Sequence, residues 1–210
     1  PTLTRLLPAS SDDDVTLNDF YALDANTIYA CGNSGTLLKI TNASGTYTIS
    51  KITTPTTSSL RAIWAHRVNN TNYVYAVGDG VILRVTGDTT VVTETLPNFT
   101  MPNMTDVYGW TSGSGTTIVV AVGKSGTILL KRAVAEADSP AQAWENVSPT
   151  LSPTPDFYSV ALNSLGTTFY AWVGGTNRSL YRYIGAALGG GSPSVNSWGS
   201  VDQTGTALSA

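Results

Sequence analysis

The stretch "VYAVGDGVILRV" at residues 74–85 returns as "IYACGNSGTLLKI" from Ile28 and "VVAVGKSGTILLK" from Val119, and a looser copy, "TFYAWVGGTNRSLYRY", starts at Thr168. Each copy follows a short apolar segment: "LNDFYAL" from Leu17, "LRAIWAH" from Leu60, "MTDVYGW" from Met104 and "FYSVALN" from Phe157. The segments start 43, 44 and 53 residues apart, and the surplus in the last interval comes from inserted stretches such as "AVAEADSPAQ" and "SPTLSPTPD". A fixed internal period limits the fold more than any local pattern, because each copy must be one structural unit that stacks on its siblings.

Within a unit, β-branched and aromatic residues alternate, and Gly, Asn, Asp or Ser punctuate them, as strands joined by tight turns require. The first unit reads as four strands at about 17–22, 27–31, 36–41 and 46–52. The fourth strand varies most: "YTISKIT", "TVVTETL", "AQAWENV" and "SVNSWGS". Four strands every 40 to 45 residues mark a propeller blade, so the chain is expected to be an all-β, β-propeller fold with blades of about 44 residues. The repeats run at about 17–59, 60–103, 104–156 and 157–201 within one domain spanning 1–210. "PTLTRLLP" at 1–8 reads as an outermost strand and "TALSA" at 206–210 as the start of an innermost one, giving a partial blade at the termini. If both belong to one blade the ring closes with five; otherwise the chain is cut from a larger ring or array. A start at Pro1, with neither Met nor signal peptide, reads as a processed or excised segment.

Alanine recurs at Ala30, Ala76, Ala121 and Ala171, where a small side chain lets blades approach face to face. Gly32, Gly35, Gly78, Gly80, Gly123 and Gly126 are read as turn residues at positive φ. A phosphate-cradling loop would place a helix after such glycines, and here a strand follows.

Charged residues form 12% of the chain, about half the usual share, and Ser with Thr supply about a quarter. This neutral polar surface suits an extracellular, cell-surface or envelope protein. The 11 Lys and Arg are scattered in a chain of net charge -3, so nucleic acid is not an expected partner. One cysteine, Cys31, and one histidine, His66, rule out an intrachain disulfide and a His/Cys metal cluster, and no metal or cofactor is expected. Cys31 stands in the column of Val77 and Val122 and reads as a small buried hydrophobe. No apolar run approaches the roughly 20 residues that span a bilayer.

The wording "DVYGW…VVAVGKSGTILLKR" and "AIWAH…VYAVGDGVILRV" resembles the propellers related to photosystem II stability and assembly factors, and a wider bacterial set of secreted proteins built from similar hairpins. The resemblance spans roughly 17–184 and implies a propeller that serves as a scaffold or binding module, in many cases outside the cytosol. The Arg-rich surface of the photosynthetic factors has no counterpart, since Arg61, Arg84, Arg132, Arg178 and Arg182 are spread over the units. Propeller sialidases carry an Asp-box between third and fourth strands; "TNASGTYTI" and "VTGDTTVV" keep a glycine and a threonine but lack its aspartate pattern and tryptophan.

Catalytic vocabulary is thin. His66 reads as a strand-end surface residue, with no Gly-x-Ser-x-Gly elbow beside it. Asp19 and Asp106 match in the first and third units, with Asp156 just before the fourth; they are candidates for carboxylates about 5 to 10 Å apart, or acceptors for backbone N–H groups. "SSDDDVT" at 10–16 lacks a full calcium loop and reads as a solvated segment. Trp144, Trp172 and Trp198 are assigned to blade packing, whereas Trp64 and Trp110, near the ends of innermost strands, are candidates to face a ligand. Six Asn-x-Ser/Thr sequons stand at Asn42, Asn69, Asn98, Asn103, Asn146 and Asn177.

The expected activity is therefore non-enzymatic: binding a protein or glycan partner, or scaffolding and adhesion. A glycosidase-like or lyase-like enzyme and a self-associating subunit of a filament or layer are the alternatives. The face carrying the hairpin turns is the expected site, with Asn33, Asp79, Lys124, Asn177 and Arg178 on it, Asp19 and Asp106 nearer the axis, and Trp64 and Trp110 as aromatic contacts.

Overall fold

Apolar residues at the start of each repeat become the innermost strands of four antiparallel sheets in the computed structural model, which describes residues 15–96, 98–113, 115–133, 144–165, 168–185 and 197–200. Blade 1 comprises β1 (Leu17–Asp24), β2 (Thr27–Gly32), β3 (Leu37–Ala43) and β4 (Thr46–Lys51). Blade 2 comprises β5 (Leu60–Val68), β6 (Thr71–Gly78), β7 (Val81–Thr86) and β8 (Thr90–Thr93). Blade 3 is β9 (Met104–Thr111), β10 (Thr117–Gly123), β11 (Ile128–Ala133) and β12 (Glu145–Asn146), and blade 4 is β13 (Phe157–Leu165), β14 (Thr168–Gly175), β15 (Leu180–Gly185) and β16 (Ser197–Ser200). In every sheet the strands pair in chain order, and β1, β5, β9 and β13 lie side by side in sequence. The protein is an all-β propeller of four-stranded blades. The stretches 1–8 and 206–210, and with them ring closure, lie outside the described residues, as does most of the acidic run at 10–16.

The core sits between blades. Tyr29, Cys31 and Leu37 of blade 1 pack on Ile63, Val74 and Leu83 of blade 2, whose other face, through Trp64, Tyr75 and Val77, meets Met104, Val119 and Leu129 of blade 3. Ile118, Val120 and Leu130 then meet Phe157, Val160 and Phe169 of blade 4. A strand between two neighbours is buried on both sides, as β10 is along its whole length. Ala30, Ala76, Ala121 and Ala171 are fully buried.

Several residues depart from the sequence reading. His66 is not at the surface: it lies within β5, 6% exposed, with Nδ1 2.9 Å from the Thr111 hydroxyl and its ring stacked on Trp64. The β5 pattern continues to Val68, which carries His66 into the seam between blades 2 and 3. Trp172 does not pack between blades; it is 37% exposed with the Arg182 guanidinium over its ring. Trp144 is buried against Tyr75, and Trp198 falls on β16, of which only the backbone is described. Cys31 is fully buried, and burial pushes its thiol up to about 12.

Outer seams carry polar ties. Between blades 1 and 2 the Tyr29 hydroxyl and Lys39 Nζ both donate to Asp88, the latter at 2.6 Å, and Asn72 Nδ2 donates to the Tyr29 hydroxyl at 2.9 Å. Between blades 2 and 3, Glu94 takes Arg84 Nε at 2.7 Å and Lys131 Nζ at 2.8 Å.

Candidate ligand-binding site

The site starts from a glycine. Gly32, Gly78 and Gly123 do not have positive φ; they end β2, β6 and β10, and Gly175 ends β14 in the same way. Over each passes the backbone carbonyl of the residue before the innermost strand. A Cβ at Gly32 would lie 2.3 Å from the Thr16 oxygen, at Gly78 1.9 Å from that of Ser59, at Gly123 2.5 Å from that of Asn103 and at Gly175 2.1 Å from that of Asp156. The following residue donates its N–H to the same carbonyl: Asn33 to Thr16, Asp79 to Ser59, Lys124 to Asn103 and Thr176 to Asp156, at 2.9 to 3.0 Å. Positive φ belongs to the second glycine, as at Gly35 and Gly126, both at 68°.

This crossing pins each hairpin turn beside the first residues of an innermost strand, where every blade has a register shift. Leu17 pairs with Gly32 and Asp19 with Cys31, so Asn18 is left over. Arg61, Thr105 and Tyr158 are skipped in the same way. A bulge re-aims the extra side chain out of the alternating pattern. The four bulge residues, with Asn103 and Lys124, line a cavity of about 490 Å³ where the four innermost strands begin.

Polar contacts fix these walls. Arg61 makes a two-pronged ion pair with Asp79, Nε to Oδ1 at 2.6 Å and Nη2 to Oδ2 at 2.9 Å, and that pairing raises the basicity of the guanidinium. Lys124 Nζ donates to the Tyr158 hydroxyl and to Asp156 Oδ2, both at 3.0 Å, and lies 4.5 Å from the Tyr158 ring centroid. The hydroxyl first, then the carboxylate, pushes the Lys124 ammonium up. The Ser125 N–H and then Lys124 hold Asp156 below the usual carboxylate range. Asn18 Nδ2 donates to the Leu60 carbonyl at 2.6 Å and to Asn33 Oδ1 at 3.1 Å. Thr105 donates to the Phe157 carbonyl at 2.6 Å.

Asp19 and Asp106 stand one residue further in and tie blades together. Asp19 accepts from the Phe20 and Ile63 N–H groups at 2.8 and 2.9 Å. Asp106 accepts from Val107 and Val160, both at 2.8 Å. Blades 1 and 2 are thus stitched like blades 3 and 4. Burial outweighs the two N–H bonds at Asp106, and the Asp19 charge adds to it, so its carboxyl is pushed up to about 6. Ala62 holds this position in blade 2, and the seam to blade 3 closes differently: Trp64 fills the space beside Gly109, where a Cβ would meet its ring at 2.4 Å.

Of the residues expected at the site, Lys124 lines the cavity, and Asn33 and Asp79 support its walls through Asn18 and Arg61. Asp19 and Asp106 are seam ties with both carboxylate oxygens occupied. Asn177 and Arg178 are exposed in a one-turn 3-10 helix between β14 and β15, with left-handed φ of 57° and 56°, and are not among the lining residues. Trp64 is 3% exposed and faces a blade seam rather than a ligand, and Trp110 is half-buried toward the opposite end of β9. Asn18, Arg61, Thr105 and Tyr158 were signalled only by their shared place, one residue before the column Asp19, Ala62, Asp106 and Ser159.

No family model matches the chain. No curated protein matches it either. Among solved structures it is similar to one described as YCF48 bound to D1 peptide, with a TM-score of 0.37 and 12% identity over 83% of this chain and 69% of that one.

Proposed function

We propose that this propeller is a non-enzymatic binding module that takes a protein or glycan partner in the cavity at the starts of its innermost strands. The observation that carries the reading is the convergence of four bulge residues, one from each blade, on a single concave site built over a backbone frame. Among the described residues the lining comprises two cations, two amides and two hydroxyls and no carboxylate. The acids around it are engaged: Asp79 and Asp156 in ion pairs, Asp19 and Asp106 with backbone N–H groups. Acid–base chemistry on a glycosidic bond calls for a carboxyl poised at the substrate, so these contacts favour recognition over catalysis. The hairpin wording shared with scaffold and binding propellers agrees with this role, and the neutral Ser/Thr-rich composition supports an extracellular or envelope setting.

Arrays of glycans and peptides, probed with the wild-type protein and with the triple variant Arg61→Met, Lys124→Met, Tyr158→Ala, test the reading. Binding by the wild type should be lost in the variant, while its melting temperature falls by no more than about 8 °C, because the two exposed ion pairs it removes contribute at most about 1 kcal/mol each. Undiminished binding by the triple variant would move the function away from this cavity.

A further inference from the structure

Among the described residues, the six that line the cavity all carry polar atoms, and none is aliphatic. A peptide partner would find anchoring contacts at Arg61 and Tyr158 but no aliphatic pocket among the described residues for an apolar side chain. Amides and hydroxyls suit a different ligand, one covered in groups that both donate and accept. Asn18 and Asn103 are exposed, and the Asn103 amide makes no hydrogen bond among the described residues. Thr105 donates to backbone carbonyls and keeps its lone pairs as acceptors. Tyr158 is 50% exposed, presenting ring surface to the weakly polar C–H face of a pyranose.

The two cations add a further requirement. Arg61 uses Nε and Nη2 on Asp79, and its Nη1 edge has no partner among the described residues. The side chains of the Arg61–Asp79 pair are 47% and 32% exposed, and those of the Lys124–Asp156 pair 39% and 34%. Pairs this open are weak and yield to a competing carboxylate that also makes neutral contacts. The volume lies within the range of about 300–1,000 Å³ typical of small-ligand sites.

We infer that the cavity binds an acidic sugar, a hexuronate unit of an oligosaccharide. The carboxylate sits on Arg61 and Lys124, the ring hydroxyls on Asn18, Asn103 and Thr105, and a ring face against Tyr158. This rests on the reading of the cavity as the binding site, and it narrows the ligand to one chemical class.

The test titrates the protein with the methyl glycosides of galacturonate and glucuronate, with methyl galactoside and methyl glucoside, and with a blocked tri-glutamate peptide, followed by amide NMR shifts. A methyl hexuronoside should shift the amides of Asn18, Arg61, Thr105 and Lys124 and bind at least tenfold more tightly than its neutral counterpart. Arg61→Met should remove that tenfold preference while leaving the spectrum folded, and Tyr158→Ala should weaken acidic and neutral sugars alike. Equal affinity for acidic and neutral sugars would overturn the assignment of the cations. Occupation of the cavity by the peptide without either hexuronoside would overturn the sugar but leave the binding module intact. If no probe shifts these amides the hexuronate proposal falls, and the broader reading falls with it only if the arrays are blank too.

Discussion

Replacing Asp106 by Asn should stabilise the protein at neutral pH, although Asp106 ties blade 3 to blade 4. In the folded chain its carboxyl is pushed from the ordinary 3.8 to about 6, chiefly by burial. A tenfold change in ionisation is worth about 1.4 kcal/mol, so holding this group ionised at pH 7 costs the folded state about 3 kcal/mol relative to the unfolded chain. The sign follows from proton counts. Between 3.8 and about 6 the folded state binds more protons than the unfolded one, so the group's contribution is fully present below 3.8 and is lost as pH rises through about 6. Like the protonated carboxyl, an amide is uncharged; its oxygen keeps one backbone N–H, but its NH2 cannot accept from the other, which gives back about 1 kcal/mol of the gain. The variant and the wild type should thus be close in stability at pH 4, and the variant ahead by about 2 kcal/mol at pH 7. Urea unfolding followed by tryptophan fluorescence at both pH values measures this. A difference that does not move between pH 4 and 7, or that moves against the Asn variant, refutes the account of a desolvated seam carboxylate.

Two further substitutions probe the seams. Gly109→Ala places a Cβ 2.4 Å from the Trp64 ring and should lower stability by about 1–3 kcal/mol, with Trp64→Phe in the same chain recovering part of it; an unchanged melting temperature would contradict the packing described. Asp88→Ala removes the acceptor shared by Tyr29, Lys39 and Asn72 and forces Ala to a φ of 66°, so it should cost about 3 kcal/mol or more in urea unfolding. Asp88→Asn, which tolerates that backbone and keeps one acceptor, should cost clearly less, and equal losses would argue against both causes.

The repeat made the fold legible because burial between blades writes itself into spacing: Leu17, Leu60, Met104 and Phe157 open the four innermost strands. The glycines were legible as markers but not as causes, since a crossing carbonyl leaves no trace in the residue it crosses. The bulges were harder still. A one-residue slip at Asn18, Arg61, Thr105 or Tyr158 sends to the cavity a side chain that alternation alone would assign to a sheet face. Trp64 was misplaced because proximity to a strand's end does not say which way its ring turns, and the space that receives it is created by Gly109 in the next blade. Lys124 was found because turns between strands face outward whatever lies beneath them.

The glycine crossings have a consequence for how such a protein can change. Its frame around the cavity is built from main-chain groups and four residues that cannot grow side chains; Asn18 and Thr105 add bonds to main-chain carbonyls, yet the same register shift is kept at Arg61 and Tyr158, whose side chains engage Asp79 and Lys124 instead. Asparagine, arginine, threonine and tyrosine occupy those four equivalent places without altering the frame that carries them. Repertoire and architecture are thereby uncoupled: a duplicated blade delivers one replaceable letter to a shared site, and a new specificity can be spelled by point substitution without refolding the blades.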